Sequence, residues 1–139
     1  MRLHKFGFDG YGAVQVATGV ATADGNKLIL MLFDGLLDSL SVARGHIQHG
    51  NISEKGRAIS RASRIVLGLQ GSLDFDRGGE LARTLNDLYG YVTRRLIHAN
   101  GNNDTAAIDE VRGLMAEIRD AWATLPGLMP SQPVRAYAN

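Results

Sequence analysis

The sequence contains no cysteine and has almost no excess of charge of either sign. The absence of cysteine excludes a disulfide framework, a thiolate metal site and a cysteine nucleophile. Lys and Arg number 15 against 14 Asp and Glu, so no strong electrostatic field directs the protein to nucleic acid or to an anionic membrane. These scarcities predict a protein whose partners include no nucleic acid.

Long apolar runs are also missing. The longest is LILMLF at 28–33, which Asp34 ends, whereas a membrane-spanning helix needs about 20 apolar residues. The first residues, MRLHKFGFDG, lack the apolar core of a secretory signal. We therefore expect a cytoplasmic protein without membrane insertion. Its 139 residues fit a single domain.

Apolar residues recur at spacings of three and four in four segments, which predicts four amphipathic helices. Their predicted bounds are about 24–50, 53–73, 80–100 and 104–125. The links DFDRGG (74–79) and GNND (101–104) predict tight connections, with Gly101 as a stop signal and Asn103 or Asp104 as the cap of the last helix. The fold class is therefore all-α, an antiparallel up-down four-helix bundle over residues 25–125.

Both ends of the chain differ from the bundle. Residues 1–24 have no sustained helical period but carry apolar anchors, which predicts an N-terminal arm or one short helix. Asp24 is suited to cap the first helix and Gly50 to end it. Three prolines at positions 126, 130 and 133 forbid continuation of the last helix and predict a flexible tail over residues 126–139.

No catalytic or metal-binding motif is present. None of the four histidines follows a carboxylate by three residues, as the Glu-x-x-His pairs of di-iron bundles require, and no HExxH or GxSxG occurs. His46 and His49 are best explained as cations at a helix C-terminus. Asp34 and Asp38 are best explained as a solvated face or as partners of a neighbouring arginine. The sequence predicts neither an enzyme nor a bound cofactor.

Some apolar residues lie outside these four rows of residues at spacings of three and four, which we call the seams and expect to face the core. On the first three helices they are Leu30, Phe33, Leu37, Ile65, Leu67, Tyr89 and Tyr91. Seven glycines also fall inside predicted helices, where each costs up to about 1 kcal/mol relative to alanine: Gly35, Gly45, Gly56, Gly68, Gly71, Gly90 and Gly113. Two interpretations stay open. The core is simply wide, or a groove lets another chain approach closely.

An ordered set of short motifs resembles a known family. The motifs include MLFDG at 31–35, EKG at 54–56, GGELA at 78–82, LYGYVTRRL at 88–96 and AW at 121–122. Together they resemble the flagellar secretion chaperone (FliS) family over about residues 11–125. One departure is Asp24-Gly25, where that family commonly starts the first helix with Ser-Pro, so the start of the helix is in question.

The resemblance implies a cytoplasmic helical bundle that binds the disordered C-terminal segment of flagellin in an apolar groove. It would prevent premature polymerisation of flagellin and assist its delivery to a component of the flagellar type III export gate. Other flagellar proteins are further candidate partners. The resemblance also implies an arm that occupies part of the groove until flagellin displaces it. The candidate groove or arm residues are Phe8, Tyr11, Val14, Leu30, Phe33, Leu37, Ile65, Tyr89 and Tyr91. The rival hypotheses are a self-associating structural bundle and a cofactor-binding helical protein.

Overall fold

Four α-helices make up almost all of residues 23–124, the part of the chain that the computed structural model describes. They are α1 (Ala23–Gln48), α2 (Ile52–Gly71), α3 (Phe75–Asn102) and α4 (Thr105–Ala123). Each helix packs on the next and α4 packs back on α1, whereas the diagonal pairs make few contacts. Because the links are only two or three residues long, neighbouring helices run antiparallel. The predicted all-α four-helix bundle is confirmed.

The core lies between all four helices and follows the predicted seams. Each described seam residue is either buried or packed against the buried cluster. The largest fully buried side chains come from every helix: Phe33, Leu36, Leu40, Val66, Leu69, Tyr89, Val92, Leu96, Ile108, Met115 and Trp122. A spacing of three and four residues therefore predicted which face of each helix is buried.

The predicted link over 74–79 contains one helical turn that the sequence did not predict. The side chain of Asp74 accepts a hydrogen bond from the Arg77 amide at 3.1 Å and starts this turn at Phe75. The helix then bends at Gly79, whose φ of +51° lies in the left-handed region. Gly79 thus separates the first turn of α3 from its long part, which starts at about residue 80 as predicted.

Helix α3 ends at Asn102, two residues later than predicted. Gly101 lies within α3, and Asn103, with φ of +51°, leaves the helical conformation. Lys55 on α2 fixes this turn, since its Nζ donates to the carbonyl of Asn100 at 2.9 Å and to Oδ1 of Asn103 at 2.6 Å. Asp104 caps α4 as predicted, by accepting from the Ala107 amide. The C-terminal end of α3 is therefore bound to the N-terminal end of α2.

The first helix ends within two residues of the predicted position. Its described part runs from Ala23, so Asp24 lies within the helix and is not its cap, and Gly50 takes the left-handed conformation, with φ of +73°. The single tryptophan joins this helix to the last one. Trp122 is 2% exposed and its indole Nε1 donates to the carbonyl of Asn26 at 3.0 Å.

Candidate functional site: apolar grooves on both sides of α2

Two of the predicted groove residues are core residues. Phe33 is 1% exposed and Tyr89 is 2% exposed, and both belong to the central cluster of buried side chains. Burial also raises the pKa of the Tyr89 hydroxyl well above its usual value. The prediction that Phe33 and Tyr89 lie on an accessible side was wrong, because the core is wider than one row of apolar residues on each helix. Phe33 lies three residues before buried Leu36, so both side chains project from the same face of α1 into the core.

Two further candidates, Leu30 and Leu37, lie toward α4. Both are partly buried against the core. Asp34, one turn after Leu30, pairs with Arg119 of α4, with its Oδ1 2.8 Å from the guanidinium Nε. This contact bears out the interpretation of Asp34 as the partner of an arginine. Leu30 and Leu37 therefore lie next to the interface between α1 and α4, at which the ion pair of Asp34 with Arg119 also lies.

The charged and polar contacts of α4 extend along both of its neighbours. On the α1 side, Arg44 pairs with Asp109 at 2.7 Å. On the α3 side, Arg95 pairs with Glu110 at 2.9 Å, and the hydroxyl of Tyr91 donates to the same carboxylate. Tyr91, a predicted groove residue, thus lines an open cleft of about 430 Å³ between α3 and α4, whose lining includes Asp87 and Glu110, and it belongs to a different face from Ile65.

Ile65 lines an open groove between α1 and α2. This α1–α2 groove has a volume of about 370 Å³ and is formed by Met31, Leu32, Gly35, Arg61, Arg64, Ile65 and Gly68. A Cβ atom on Gly35 would lie 3.4 Å from Nη2 of Arg61 and 3.6 Å from Cδ1 of Ile65. Both of these neighbours are side-chain atoms of α2, so the close backbone approach predicted for helix glycines is not found at Gly35. Nor is it found at Gly45, Gly56, Gly68, Gly71 or Gly113, where a Cβ atom would meet open space.

A second groove lies on the other side of α2. This α2–α3 groove has a volume of about 330 Å³ and is formed by Ile59, Ser60, Ser63, Arg64, Leu67, Ile97 and Asn100. Leu67 is 58% exposed and Ile97 is 67% exposed, and both project from facing helices into the same groove. Ile97 was not among the predicted residues. The signal in the sequence was an apolar residue directly after Leu96, a position that projects from α3 to one side of the core-facing row.

The bundle is therefore asymmetric. The two faces of α4 carry ion pairs at 2.7 to 2.9 Å. Among residues 23–124, one longer ion pair, between Arg61 and Asp38 at 4.0 Å, joins α2 to a neighbouring helix, and the linings of the two grooves beside α2 contain no carboxylate. Arg64 lines both grooves, so the outer surface of α2 forms one ridge between them. Exposed large apolar side chains are rare on monomeric surfaces in contiguous patches, and such patches mark interaction sites. The flanks of α2 are the candidate site.

The family model described as "Flagellar protein FliS" matches residues 8–127. The chain belongs to the FliS family. The flagellar secretion chaperone FliS of Salmonella typhimurium is 44% identical over 84% of this chain and 87% of that protein. FliSB of Pseudomonas aeruginosa is 42% identical over 81% of this chain and 89% of its own, and FliS of Escherichia coli is 41% identical over 84% and 86%.

Membership of the FliS family makes the chain a flagellar export chaperone and not a member of a known enzyme family. Within residues 23–124, no group of three His, Asp or Glu side chains is arranged to bind a metal ion. None of the helices over the same residues is long and apolar enough to span a membrane. Phe8, Tyr11 and Val14, the arm candidates of this FliS chain, lie outside the described residues.

Alanine substitutions at two exposed glycines of the FliS bundle distinguish an effect on binding in the α1–α2 groove from an effect on local helix stability. Replacing Gly68, which lines the α1–α2 groove, or Gly113, which lines neither groove, with alanine is expected to raise the free energy of unfolding by about 0.5 to 1 kcal/mol. Urea denaturation measures this gain. Only Gly68→Ala adds a methyl group inside the groove, so only this variant is expected to bind a guest segment more weakly. Equal affinities for the two variants would contradict the assignment of the α1–α2 groove.

Acid is expected to open the α4 side of the FliS bundle first. The Arg44 guanidinium lowers the pKa of Asp109, the Tyr91 hydroxyl and Arg95 lower the pKa of Glu110, and the Ala107 amide lowers the pKa of Asp104. A lowered pKa means that the folded state favours the ionised form, so this stabilisation is complete above the ordinary values of 3.8 and 4.5 and is lost as the pH falls through the lowered ones.

Thermal melting between pH 3 and pH 7 tests this expectation. Asp109→Asn lacks one of the titrating groups and should lose less stability than the parent protein on acidification. Asp76→Asn is the matched control, because Asp76 makes no ion pair or hydrogen bond among residues 23–124. An identical loss in all three proteins would contradict the role given to the Arg44–Asp109 pair.

Proposed function

We propose that this chain is a cytoplasmic chaperone that binds the disordered C-terminal segment of flagellin along α2 and delivers it to a component of the flagellar type III export gate. While bound, that segment is unavailable for polymerisation. The observation that carries the proposal is the pair of apolar grooves flanking α2, with Leu67 and Ile97 more than half exposed. FliS relatives named as flagellar secretion chaperones support the choice of a flagellar guest.

The geometry fits a guest that folds as it binds. A groove about 330 to 370 Å³ in volume on each side of one helix accepts apolar side chains in rows, as amphipathic helices present them. Ordering a disordered segment consumes roughly 2 to 5 kcal/mol of the gross interaction free energy, so the guest must bury several apolar side chains. Using both grooves satisfies that requirement better than using one.

The N-terminal arm acts as a competitor in this proposal. Phe8, Tyr11 and Val14 supply apolar side chains that occupy part of the groove in the free protein, and flagellin displaces them. A competing arm lowers the apparent affinity by the fraction of time for which the groove is closed. Deleting residues 1–20 is therefore expected to change the affinity for flagellin, and an unchanged affinity would exclude this role of the arm.

Isothermal titration calorimetry with a peptide of the flagellin C-terminal segment tests the main proposal. We expect one peptide to bind per chain, with a negative heat-capacity change because apolar surface is buried. Absence of heat at micromolar concentrations would overturn the proposal. Light scattering on the free protein tests self-association, since a second copy of the chain would cover the same exposed Leu67 and Ile97.

A further inference from the structure

The arginines of the bundle are not all neutralised in the same way. Among residues 23–124, most arginines bind a carboxylate, and Arg112 donates to the hydroxyl of Ser41 at 2.8 Å. In that same part of the chain, Arg64 and Arg94 make neither a hydrogen bond nor an ion pair. These two cations are therefore free to bind a group that comes from outside.

Both unpaired arginines lie next to the exposed apolar side chains. Arg64 lines the α2–α3 groove and is one helical turn before Leu67. Arg94 is one helical turn before Ile97 on α3, and its Nη1 lies 3.5 Å from the position of a Cβ atom on Gly90. Arg64 therefore belongs to the lining of the α2–α3 groove, whereas Arg94 lies outside that lining, one helical turn from Ile97 along the surface of α3.

An exposed arginine needs no explanation by itself, because water solvates it well. The local charge balance distinguishes this pair. The linings of both grooves contain arginines but no aspartate or glutamate, whereas the faces of α4 carry carboxylates opposite their arginines. A guest that covered Leu67 and Ile97 would also partly remove Arg64 and Arg94 from water. Such a guest would bind poorly unless it supplied the missing negative charge.

We propose that Arg64 and Arg94 bind carboxylates of the guest, so that the α2–α3 groove selects a segment in which acidic groups lie next to the apolar residues that contact Leu67 and Ile97. This inference rests on the proposed function and specifies the chemistry of the guest. A guanidinium can bind a carboxylate through two parallel N–H donors, which fixes the position of the guest along the groove. The carboxylates come from its side chains or from its C-terminal end.

Calorimetry with the full chain and a flagellin C-terminal peptide tests the inference at two salt concentrations. Arg64→Gln and Arg94→Gln are each expected to weaken binding by about two- to fivefold, the range for partly exposed ion pairs, and to reduce its dependence on salt. Arg112→Gln is the matched control, because it removes the same charge from the α1–α4 face. Arg64→Lys keeps the charge and should retain more affinity than Arg64→Gln.

Modified peptides identify the source of the carboxylate. One peptide carries amides in place of all its side-chain carboxylates, and a second carries a C-terminal amide. The inference is supported if one modified peptide binds the parent protein more weakly than the unmodified peptide does, while Arg64→Gln binds the two peptides equally well. The peptide that behaves in this way identifies the source of the carboxylate. Parent-like affinity of both arginine variants for the unmodified peptide would overturn it while leaving the proposed function intact. If the parent protein bound no peptide, the proposed function would fail and the inference with it.

Discussion

The double substitution Leu67→Ser with Ile97→Ser is expected to lower the affinity for the flagellin C-terminal segment by about 20- to 500-fold. Full burial of one leucine or isoleucine side chain contributes roughly 1.5 to 3 kcal/mol, which corresponds to about 10- to 100-fold in a binding constant. Because these side chains are 58% and 67% exposed in the free bundle, most of that burial is still to be gained on binding. Calorimetry or fluorescence anisotropy measures the loss.

The folded state is expected to tolerate the same double substitution. Substitutions of exposed side chains usually change the free energy of unfolding by less than about 0.5 kcal/mol. A melting temperature close to that of the parent protein would therefore assign the loss of affinity to the surface. Val42→Ser on α1 is the matched control, because Val42 is 43% exposed but lines neither groove. An equal loss of affinity in Val42→Ser would show that the α2–α3 groove has no special role.

The largest expected effect on stability is that of Trp122→Ala. Trp122 is almost completely buried where the end of α4 meets the start of α1, and its Nε1 donates to the carbonyl of Asn26. Removing a buried tryptophan side chain costs about 3 to 5 kcal/mol, part of it from the cavity that remains. Since small domains have only about 5 to 15 kcal/mol of stability, the variant is expected to be marginally folded.

A conservative variant separates packing from hydrogen bonding at this position. Trp122→Phe keeps an aromatic ring in the core and removes only the indole N–H that donates to the Asn26 carbonyl, so a smaller loss is expected than for alanine. Urea denaturation followed by far-ultraviolet circular dichroism measures both variants without relying on tryptophan fluorescence. A loss of less than about 1 kcal/mol in Trp122→Ala would show that the junction between α1 and α4 contributes little to the fold.

The α-helical bundle could be predicted in some detail from the sequence. Alternating spacings of three and four identified the buried faces, and the short links identified the order of neighbours. Helix ends were predicted well where a single residue type decides the backbone, as at Gly50 and Asp104. They were predicted poorly where a distant side chain decides it, as at Asn103, which Lys55 contacts across the bundle.

The candidate site was less predictable, because the same excess of apolar residues serves three purposes. The sequence grouped Phe33, Ile65 and Tyr91 as off-seam residues. In the bundle, Phe33 completes the core, Ile65 lines the α1–α2 groove and Tyr91 binds Glu110 in the α3–α4 cleft. Helical periodicity gives the direction in which a side chain projects from its own helix, but not which helix lies there.

The sequence by itself determined the all-α fold, the buried seams, the absence of thiol chemistry and the likeness to flagellar secretion chaperones. These properties follow from residue type and from spacing along one helix, which are local. Only the tertiary structure decided that short ion pairs join α4 to both of its neighbours, while α2 has a groove without carboxylates on each side and one longer ion pair to α1. That asymmetry depends on which arginine pairs with which carboxylate. The partners are 15 to 85 residues apart in the sequence, so no local pattern predicts the pairs.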